Sequence, residues 1–277
     1  MPLVLVPTPL GNLGDITLRA IEALRDAELI VAEDTRVTRK LLGALEIATK
    51  ELWSYREANA AAVTAGILER ARAQRVAVVT DAGMPAISDP GSELIAAARA
   101  AGVAVDVLPG PSAVLGALVL SGFSLRRFAF EGFPARATGA RREQFAAALR
   151  SGVTTAWYES PQRIVQSLAD LHSLAPDAKV FVVREYTKRF EQQLLGTPAE
   201  VAAALADPVR GEIAFVLAPY TGAARELPPP DLDAAIDERL ERGESVAEIA
   251  RALARIGAGA RRDLYARATE RKAKRRG

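Results

Sequence analysis

The sequence predicts two α/β domains followed by a small all-α domain, and three observations support this fold class. Apolar, strand-like runs alternate with helix-like segments through residues 1–120, and a second alternation of the same kind fills residues 121–225. A proline-rich stretch at 226–230 then leads into a basic region with helical periodicity. We therefore expect domains at 1–120, 121–225 and 231–277, with a mostly parallel sheet in the first.

In the first domain, strands are predicted where short β-branched runs meet turn residues. They fall at 3–6, 29–32, 75–80 and 103–108, with helices predicted at 16–24, from 35 onward, and at 58–73, 92–100 and 112–120. Asp15 is the expected N-cap of the first helix. The helix at 112–120 is expected to close this domain, and residues 121–124 are expected to form a hinge.

The second domain and the C-terminal region follow the same kind of pattern. Strands are predicted at 127–131, 153–159, 179–184, 190–195 and 212–218, and helices at 139–149, 161–171 and 198–206. Beyond the prolines, three short helices are predicted at 231–242, 245–254 and 260–270. Ser245 and Glu248 have the spacing of a capping box. Short helices joined by tight turns are typical of a helix-turn-helix unit.

Composition narrows the class of protein. The chain has 277 residues, of which 49 % are hydrophobic and 25 % are charged, as in soluble globular proteins. It has no cysteine, which excludes disulfides, thiolate catalysis and cysteine-ligated zinc, and we expect no metal site. Pro7 and Pro9 interrupt the apolar run at the N-terminus, and no run approaches the roughly 20 residues of a membrane span. A cytoplasmic location is expected.

Charge is distributed unevenly along the chain. The net charge is +2, but residues 251–277 carry ten Arg or Lys against Asp263 and Glu270. This tail therefore has a local charge of +8, and residues 1–250 have a charge of −6. A basic tail on an acidic body indicates a polyanionic partner. The alternative is a solvated tail that improves solubility.

Three loops rich in proline and glycine follow three of the predicted strands. Their sequences are PTPLGN at 7–12, TDAGMPAISDPG at 80–91 and PGPSA at 109–113. Loops at the carboxyl ends of parallel strands line the ligand crevice of an open sheet, so we expect these three to share one ligand site. They lack the G-x-G-x-x-G spacing and the Walker lysine, which argues against a phosphate cradle. A ligand with an adenosine and an amino-acid part would suit them.

Longer motifs carry a resemblance to a known family. They are VPTPLGNLGDITLRA (6–20), AEDTRVTRKLL (32–42), TDAGMPAISDPG (80–91), LPGPSA (108–113), YESPQR (158–163), VREYTKRFEQ (183–192) and RRDLYARA (261–268). Over nearly its whole length the chain resembles the bacterial 16S rRNA (cytidine-2′-O)-methyltransferases, a branch of the tetrapyrrole-methylase-like, class III methyltransferases. The ligand loops indicate the wider class, and AEDTR, YESP and the C-terminal region narrow it to the rRNA branch.

The resemblance implies a homodimeric enzyme that binds S-adenosyl-L-methionine in a cleft between its two α/β domains. It also implies 16S rRNA, within the 30S subunit, as the substrate. The donor-binding residues carried onto this sequence are Leu10, Gly83, Met84, Ile87, Ser112, Ala113, Tyr158 and Phe215.

The chain departs from both branches of the class in places. Tetrapyrrole methylases usually have acidic G-P-G-D and G-D-P loops, whereas this chain has PLGN at 9–12 and GMP at 83–85. This difference argues against a tetrapyrrole as the substrate. Within the rRNA branch, Gln162 stands where histidine is expected, and residues 54–59 also lack histidine. No role for histidine at these positions is carried over.

Methylation of a 2′-hydroxyl needs alignment of oxygen, methyl carbon and sulfur, and a group that accepts the hydroxyl proton or its hydrogen bond. His172, the one histidine, lies at a predicted helix end and is expected at the surface. The acceptor is then a carboxylate or a lysine. The candidate catalytic residues stand where predicted strands end, and they are Asp34, Glu159, Arg184 and Glu185. The alternative role for each is a structural ion pair or a helix cap.

Basic residues in two regions are candidates for contacts with RNA phosphates. They are Arg36, Arg39 and Lys40 on a predicted helix, and Arg261, Arg262 and Arg267 in the tail. Tyr265 lies among the tail cations and permits base stacking. Its favoured role is in the core of the small domain, together with Leu264.

Two other functions stay open at this point. A small-molecule methyltransferase of the tetrapyrrole type would share the ligand loops, but the basic C-terminal region argues against it. A non-catalytic RNA-binding or ribosome-assembly protein would share the basic region, but three ligand loops argue against that. Donor binding separates this last class from the enzymes.

Overall fold

A computed structural model describes residues 2–48, 50–205, 208–222, 232–255 and 260–274. The predicted linker at 226–230, the glycine-containing turn at 257–259 and the basic residues Arg275 and Arg276 lie outside the described residues. Across the part of the chain that is described, none of the helices has the length and apolar character to pass through a bilayer.

The first sheet consists of five parallel strands. In chain order they are β1 Leu3–Leu5, β2 Leu29–Ala32, β3 Glu51–Ser54, β4 Val76–Val79 and β5 Val105–Val107. Their order in the sheet is β3-β2-β4-β1-β5. The helices of this half are α1 Leu18–Asp26, α2 Thr35–Ala44, α3 Ala60–Ala73 and α4 Ser92–Ala100. The predicted parallel sheet is confirmed, with β3 as an additional edge strand.

Both faces of the first sheet are covered by helices, which explains its continuous apolar strands. In β2, Leu29 and Val31 belong to the apolar cluster under α3 and α4, whereas Ile30 belongs to the cluster under α1 and α2. The edge strand β3 is only partly buried and starts at Glu51, so it lacked the apolar signal of the others. The prediction for the cap of α1 was wrong, because Thr17 accepts the capping hydrogen bond and Asp15 lies in a preceding 3₁₀ turn.

The second sheet has five strands in mixed orientation. The elements of this half are α5 Ala113–Ser121, β6 Phe128–Phe130, α6 Thr138–Ser151, β7 Thr154–Glu159, α7 Ile164–Leu174, β8 Val180–Arg184, β9 Gln192–Gly196, α8 Pro198–Ala204 and β10 Ile213–Leu217. The strand order is β6-β7-β10-β8-β9, in which β6 is parallel to β7 and the remaining pairs are antiparallel. His172, in α7, is exposed as expected.

Helix α5 packs on the second sheet. Its buried residues Val114, Ala117 and Leu118 join an apolar cluster with side chains of β7, β8 and β10. The expectation that this helix completes the first domain was therefore wrong. The helix is apolar on every side, so its sequence contains no amphipathic pattern to indicate which sheet it covers.

Three helices form a separate apolar cluster near the C-terminus. They are α9 Leu232–Glu241, α10 Val246–Arg255 and α11 Arg261–Lys274. The predicted capping box at the start of α10 is present, because Ser245 and Glu248 exchange both of its hydrogen bonds. Leu264 is buried in this cluster, but Tyr265 is 50 % exposed. The favoured core role of Tyr265 was therefore wrong, since the helix turns its ring toward solvent.

Candidate functional site

A cavity with a volume of about 360 Å³ lies between the two sheets. The loops that follow β2 and β4 and the start of α5 form one part of its wall, and the ends of β7, β8 and β10 form another. This location confirms the predicted cleft between two α/β units. Its volume lies within the usual range for small-molecule sites, roughly 300–1,000 Å³.

The three proline- and glycine-rich loops pack against one another at this cavity. Thr8 and Gly83 exchange two backbone hydrogen bonds of 3.0 Å, which join the first loop to the second. Gly83 has a φ of 82°, a left-handed conformation that favours glycine. The third loop packs Gly110 directly against Pro7 of the first loop, with no room for a side chain between them. The predicted meeting of the three loops is therefore confirmed.

Contacts between the two halves hold the cavity together. Lys188, in the turn after β8, lies over Gly11 of the first loop and pairs with Glu185 and Glu212 at 3.0 Å each. A Cβ at position 11 would collide with the Lys188 side chain. Glycine at this position thus lets the second half approach the first loop closely.

Seven of the eight predicted donor-binding residues line the cavity. They are Leu10, Gly83, Met84, Ile87, Ser112, Ala113 and Tyr158. Phe215 does not line it, because its ring is fully buried in the core of the second half and stacks on Trp157 with 6.0 Å between centroids. The neighbouring residues Ile213 and Ala214 of the same strand line the cavity instead.

Carboxylates enter the cavity from the first half of the chain. Glu33, Asp81 and Asp89 all line it. The Thr80 hydroxyl oxygen lies 2.8 Å from Oε2 of Glu33 and 2.7 Å from Oδ2 of Asp89. A hydroxyl carries one hydrogen, so both contacts are hydrogen bonds only when one of the two carboxyl groups is protonated.

Burial, together with the negative charges of Glu33, Asp81 and Glu212, raises the pKa of Asp89 to about 6, against a lowering by the Thr80 hydrogen bond. Burial also raises the pKa of Asp81, with repulsion from Glu33 adding to the effect. The cavity is consequently a negatively charged environment that favours a cationic ligand.

Sequence reasoning missed these carboxylates although a signal existed. Glu33 precedes Asp34 in the motif AEDTR, and Asp81 and Asp89 lie within the second loop motif. Two residues that the second half contributes had no such local signal. Gly211 and Glu212 lie outside the motifs and reach the cavity because of how β8 and β10 are paired.

Glu159 has a structural environment rather than a catalytic one. It belongs to the cavity wall, but its side chain is fully buried. The carboxylate accepts hydrogen bonds from the guanidinium of Arg163 and from the hydroxyl of Ser167 and the amide of Ser160. These partners support the alternative that the sequence left open, a structural ion pair, and the catalytic role of Glu159 stays a prediction.

The other three candidate catalytic residues do not line the cavity within the described residues. Asp34 caps α2, and its hydrogen bonds with Arg36 hold its pKa well below the usual range. Arg184 donates to Gln192 and to the carbonyl oxygens of Phe190 and Arg210.

Glu185 also has partners of its own. Burial would raise its pKa, but hydrogen bonds from the Glu212 amide and from Lys188 lower it overall. The alternative role that the sequence left open, structural pairing or capping, is therefore the one these contacts support for Asp34, Arg184 and Glu185.

The candidate RNA-binding residues lie at the surface. Arg36 is the most constrained of the first group, because it pairs with Asp34 at 2.6 Å, while Arg39 and Lys40 are exposed on α2. In the tail, Arg261 and Arg262 are exposed at the start of α11. Arg267 pairs with Asp233 at 2.8 Å, so part of its charge is used within the helical cluster.

The cavity suits a ligand that joins apolar surface to positive charge. Leu10, Met84, Ile87 and Ala113 supply apolar contacts, and the carboxylates described above supply the opposite charge. Such a lining fits S-adenosyl-L-methionine, which carries a sulfonium and an ammonium group beside its adenosine. Among the described residues, no three His, Asp or Glu side chains are arranged to hold a metal ion.

Comparisons with known proteins agree with this architecture. The family described as Tetrapyrrole (Corrin/Porphyrin) Methylases matches residues 2–202. Among solved structures, a cobalt precorrin-4 methyltransferase of cobalamin biosynthesis is 18 % identical, with a TM-score of 0.62 over 78 % of this chain and 94 % of its own. Uroporphyrin-III C-methyltransferase from Thermus thermophilus, complexed with S-adenyl homocysteine, is 22 % identical, with a TM-score of 0.55 over 79 % and 97 %. At these identities the likeness establishes the fold.

Sequence relatives define the branch more narrowly. The protein named ribosomal RNA small subunit methyltransferase I of Thermotoga maritima is 41 % identical over 199 residues, which cover 72 % of this chain and 89 % of the relative. The protein of the same name in Halalkalibacterium halodurans is also 41 % identical, over 78 % of this chain and 75 % of its own. The chain therefore belongs to the tetrapyrrole (corrin/porphyrin) methylases and, within them, to the ribosomal RNA small subunit methyltransferase I family.

Proposed function

We propose that this protein transfers a methyl group from S-adenosyl-L-methionine to the 2′-oxygen of a cytidine ribose in 16S rRNA. The observation that carries the proposal is the cavity between the two sheets, in a chain 41 % identical to rRNA small subunit methyltransferases I. The 30S subunit is the proposed form of the substrate. Such a substrate would place the enzyme in the cytoplasm.

The bound donor would supply an electrophilic methyl group on a positively charged sulfur. The three loops hold the donor, with Leu10, Gly83 and Met84 on one side and Ser112 and Ala113 at the start of α5. Their mutual hydrogen bonds and close packing keep this surface in place before the ligand binds, which reduces the free-energy cost of ordering it. Correct alignment of the reacting atoms then contributes several kcal/mol to the rate.

The ribose hydroxyl needs an acceptor for its proton. We assign this role to the cavity carboxylates Glu33, Asp81 and Asp89, because these three face the cavity while Glu159 is buried and paired. The raised pKa of Asp89, about 6, makes it a stronger base than an ordinary carboxylate when it is ionised. Transfer of the hydroxyl proton to such a group balances the positive charge that the donor loses.

RNA would be held by positive charge outside the cavity. Arg39 and Lys40 on α2 and Arg261 and Arg262 on α11 are exposed and suited to phosphate contacts. We propose that Arg36 and Arg267, which already pair with acidic neighbours, contribute less.

A homodimer is proposed as the working form. Leu115 and Val119, four residues apart on α5, are 52 % and 71 % exposed, and such an apolar stripe is suited to burial against a second copy. Light scattering at micromolar concentration would give the mass directly, and a monomer would overturn this part of the proposal.

One experiment tests the function. The protein is incubated with donor labelled in its methyl group and with free 16S rRNA, with 30S subunits that lack the modification or with a small tetrapyrrole acceptor, and the labelled product is identified. We expect one 2′-O-methylated cytidine. Label only in a small tetrapyrrole acceptor would favour the small-molecule alternative, and donor binding without transfer to any RNA would overturn the proposal.

A further inference from the structure

Phe133 is an exposed aromatic residue at the cavity between the sheets. It lines the cavity, yet it is 54 % exposed. Its ring centroid lies 5.7 Å from that of Tyr158, which lies 5.0 Å from that of Phe130. The three rings thus form a row along this wall, in which Phe133 is the member most exposed to solvent.

The backbone on both sides of Phe133 is fixed by hydrogen bonds. The amide of Tyr158 donates to the carbonyl oxygen of Gly132 at 2.9 Å, which extends the pairing of β6 with β7. The guanidinium of Arg163 donates to the carbonyl oxygen of Pro134 at 2.7 Å. Gly132 has a φ of 71°, so the chain turns sharply just before the aromatic residue.

Two ion pairs fix the position of the loop that contains Phe133. Arg163 is held by the fully buried carboxylate of Glu159. Arg141 pairs with Asp170, both of them buried, and also donates to the carbonyl oxygens of Ala135 and Arg136. The loop is therefore held in place before any ligand arrives, and a ligand that contacts Phe133 does not have to order it.

The position of the phenyl ring suits a nucleobase. An apolar ring left in water adds little to the stability of the fold, so its support by two ion pairs points to a ligand. RNA bases that have left their stack bind against aromatic side chains, and enzymes that act on a base draw it out of the stack in this way. The solvent-facing edge of the cavity is where an RNA nucleotide must enter to reach a donor held by the loops.

We propose that Phe133 is the platform on which the base of the target nucleotide stacks. The inference rests on the proposed function, because it takes RNA as the substrate. Phe133 would then set the position of the nucleotide, and through it the distance from the ribose hydroxyl to the methyl group.

The test compares Phe133→Ala, Phe133→Tyr and the parent, with Phe190→Ala as the matched control. Phe190 is another exposed phenylalanine, 67 % exposed, and it is not among the residues that line the cavity. Single-turnover methyl transfer is measured as a function of the concentration of unmethylated 30S subunits. Donor affinity by calorimetry and the melting temperature are measured for every variant.

We expect Phe133→Ala to raise the half-saturating concentration of 30S subunits by about tenfold, the usual size of a lost base stack. Its donor affinity and melting temperature should match those of the parent, and Phe133→Tyr and Phe190→Ala should behave like the parent. One outcome is that the parent methylates 30S subunits while the half-saturating concentration for Phe133→Ala lies within twofold of the parent value. In that case the stacking role of Phe133 is wrong and the proposed function stands. A parallel loss of donor affinity would assign Phe133 to the donor site and overturn the proposal. A parent that transfers no methyl group to RNA would overturn both.

Discussion

The hydroxyl oxygen of Thr80 lies 2.7 Å from Oδ2 of Asp89 inside the cavity. The same hydroxyl lies 2.8 Å from Glu33, so these two carboxyl groups compete for one hydrogen. Burial and the nearby charges of Glu33, Asp81 and Glu212 raise the pKa of Asp89 to about 6. The charge of the cavity therefore changes in a pH range close to neutrality.

This titration predicts a pH-dependent donor affinity. Asp89 is ionised above about pH 6 and protonated below it, so its attraction for a cationic donor is present at pH 7.5 and lost by pH 5. Calorimetry should show a weaker affinity for S-adenosylmethionine at the lower pH. S-adenosylhomocysteine, which lacks the sulfonium charge, should respond less. In Asp89→Asn the ratio of the two affinities should be the same at both pH values. The same ratio at both pH values in the parent as well would contradict the prediction.

Substitution of Gly83 should disturb the donor loops. A Cβ at this position would meet Leu10 at 3.0 Å, and the φ of 82° disfavours a branched residue. We expect Gly83→Val to lower donor affinity by at least tenfold, or about 1.4 kcal/mol. Gly102→Val is the control, because Gly102 has a similar φ of 69° but open space around it. Equal donor affinities in both variants would remove Gly83 from the site.

The proton acceptor can be located with amide substitutions. We expect at least one of Glu33→Gln, Asp81→Asn and Asp89→Asn to lower the single-turnover methylation rate by about 100-fold, because the amide cannot take up the hydroxyl proton. Asp34→Asn and Glu185→Gln should stay within about threefold, since their carboxylates serve capping and ion pairs. Rates near the parent value in all three cavity variants would show that none of these carboxylates accepts the proton.

The substitution Glu159→Gln tests whether Glu159 stabilises the fold or takes part in the reaction. The substitution leaves Arg163 without its charged partner, so the free energy of unfolding should fall by about 2 kcal/mol. Chemical denaturation measures this change, and Glu57→Gln is the control because Glu57 is exposed. A parent-like stability together with a strongly reduced rate would support a catalytic role for Glu159 instead.

Removal of residues 228–277 should affect RNA binding more than donor binding. The three C-terminal helices have their own apolar cluster, and the residues that line the cavity all precede them. Affinity for 30S subunits should fall, and its salt dependence should become shallower as phosphate contacts are lost. Donor affinity should stay nearly unchanged. A truncated protein that binds 30S subunits like the parent at every salt concentration would exclude the tail from RNA binding.

Local sequence patterns were sufficient for most of the elements. The strands β2 and β4 are buried on both faces and therefore appear as uninterrupted apolar runs. The pattern failed for β3, which is only partly buried, and for the packing of α5, which is apolar on every side. In both cases the deciding quantity was burial by distant parts of the chain.

The sequence by itself determined the two α/β halves, the three loops that meet at the cavity, and the basic helices after them. These features depend on local composition, turn chemistry and hydrophobic periodicity. Only the tertiary structure decided which charged groups are free to act. Glu159 and Asp34 follow strands just as Asp81 does, and each pairs with an arginine only a few residues further along the chain, whereas Asp81 and Asp89 line the cavity. The short spacing permits those pairs, but which carboxylates meet at the cavity is set by strand pairing and packing between segments far apart in the chain, and spacing along one segment does not contain that information.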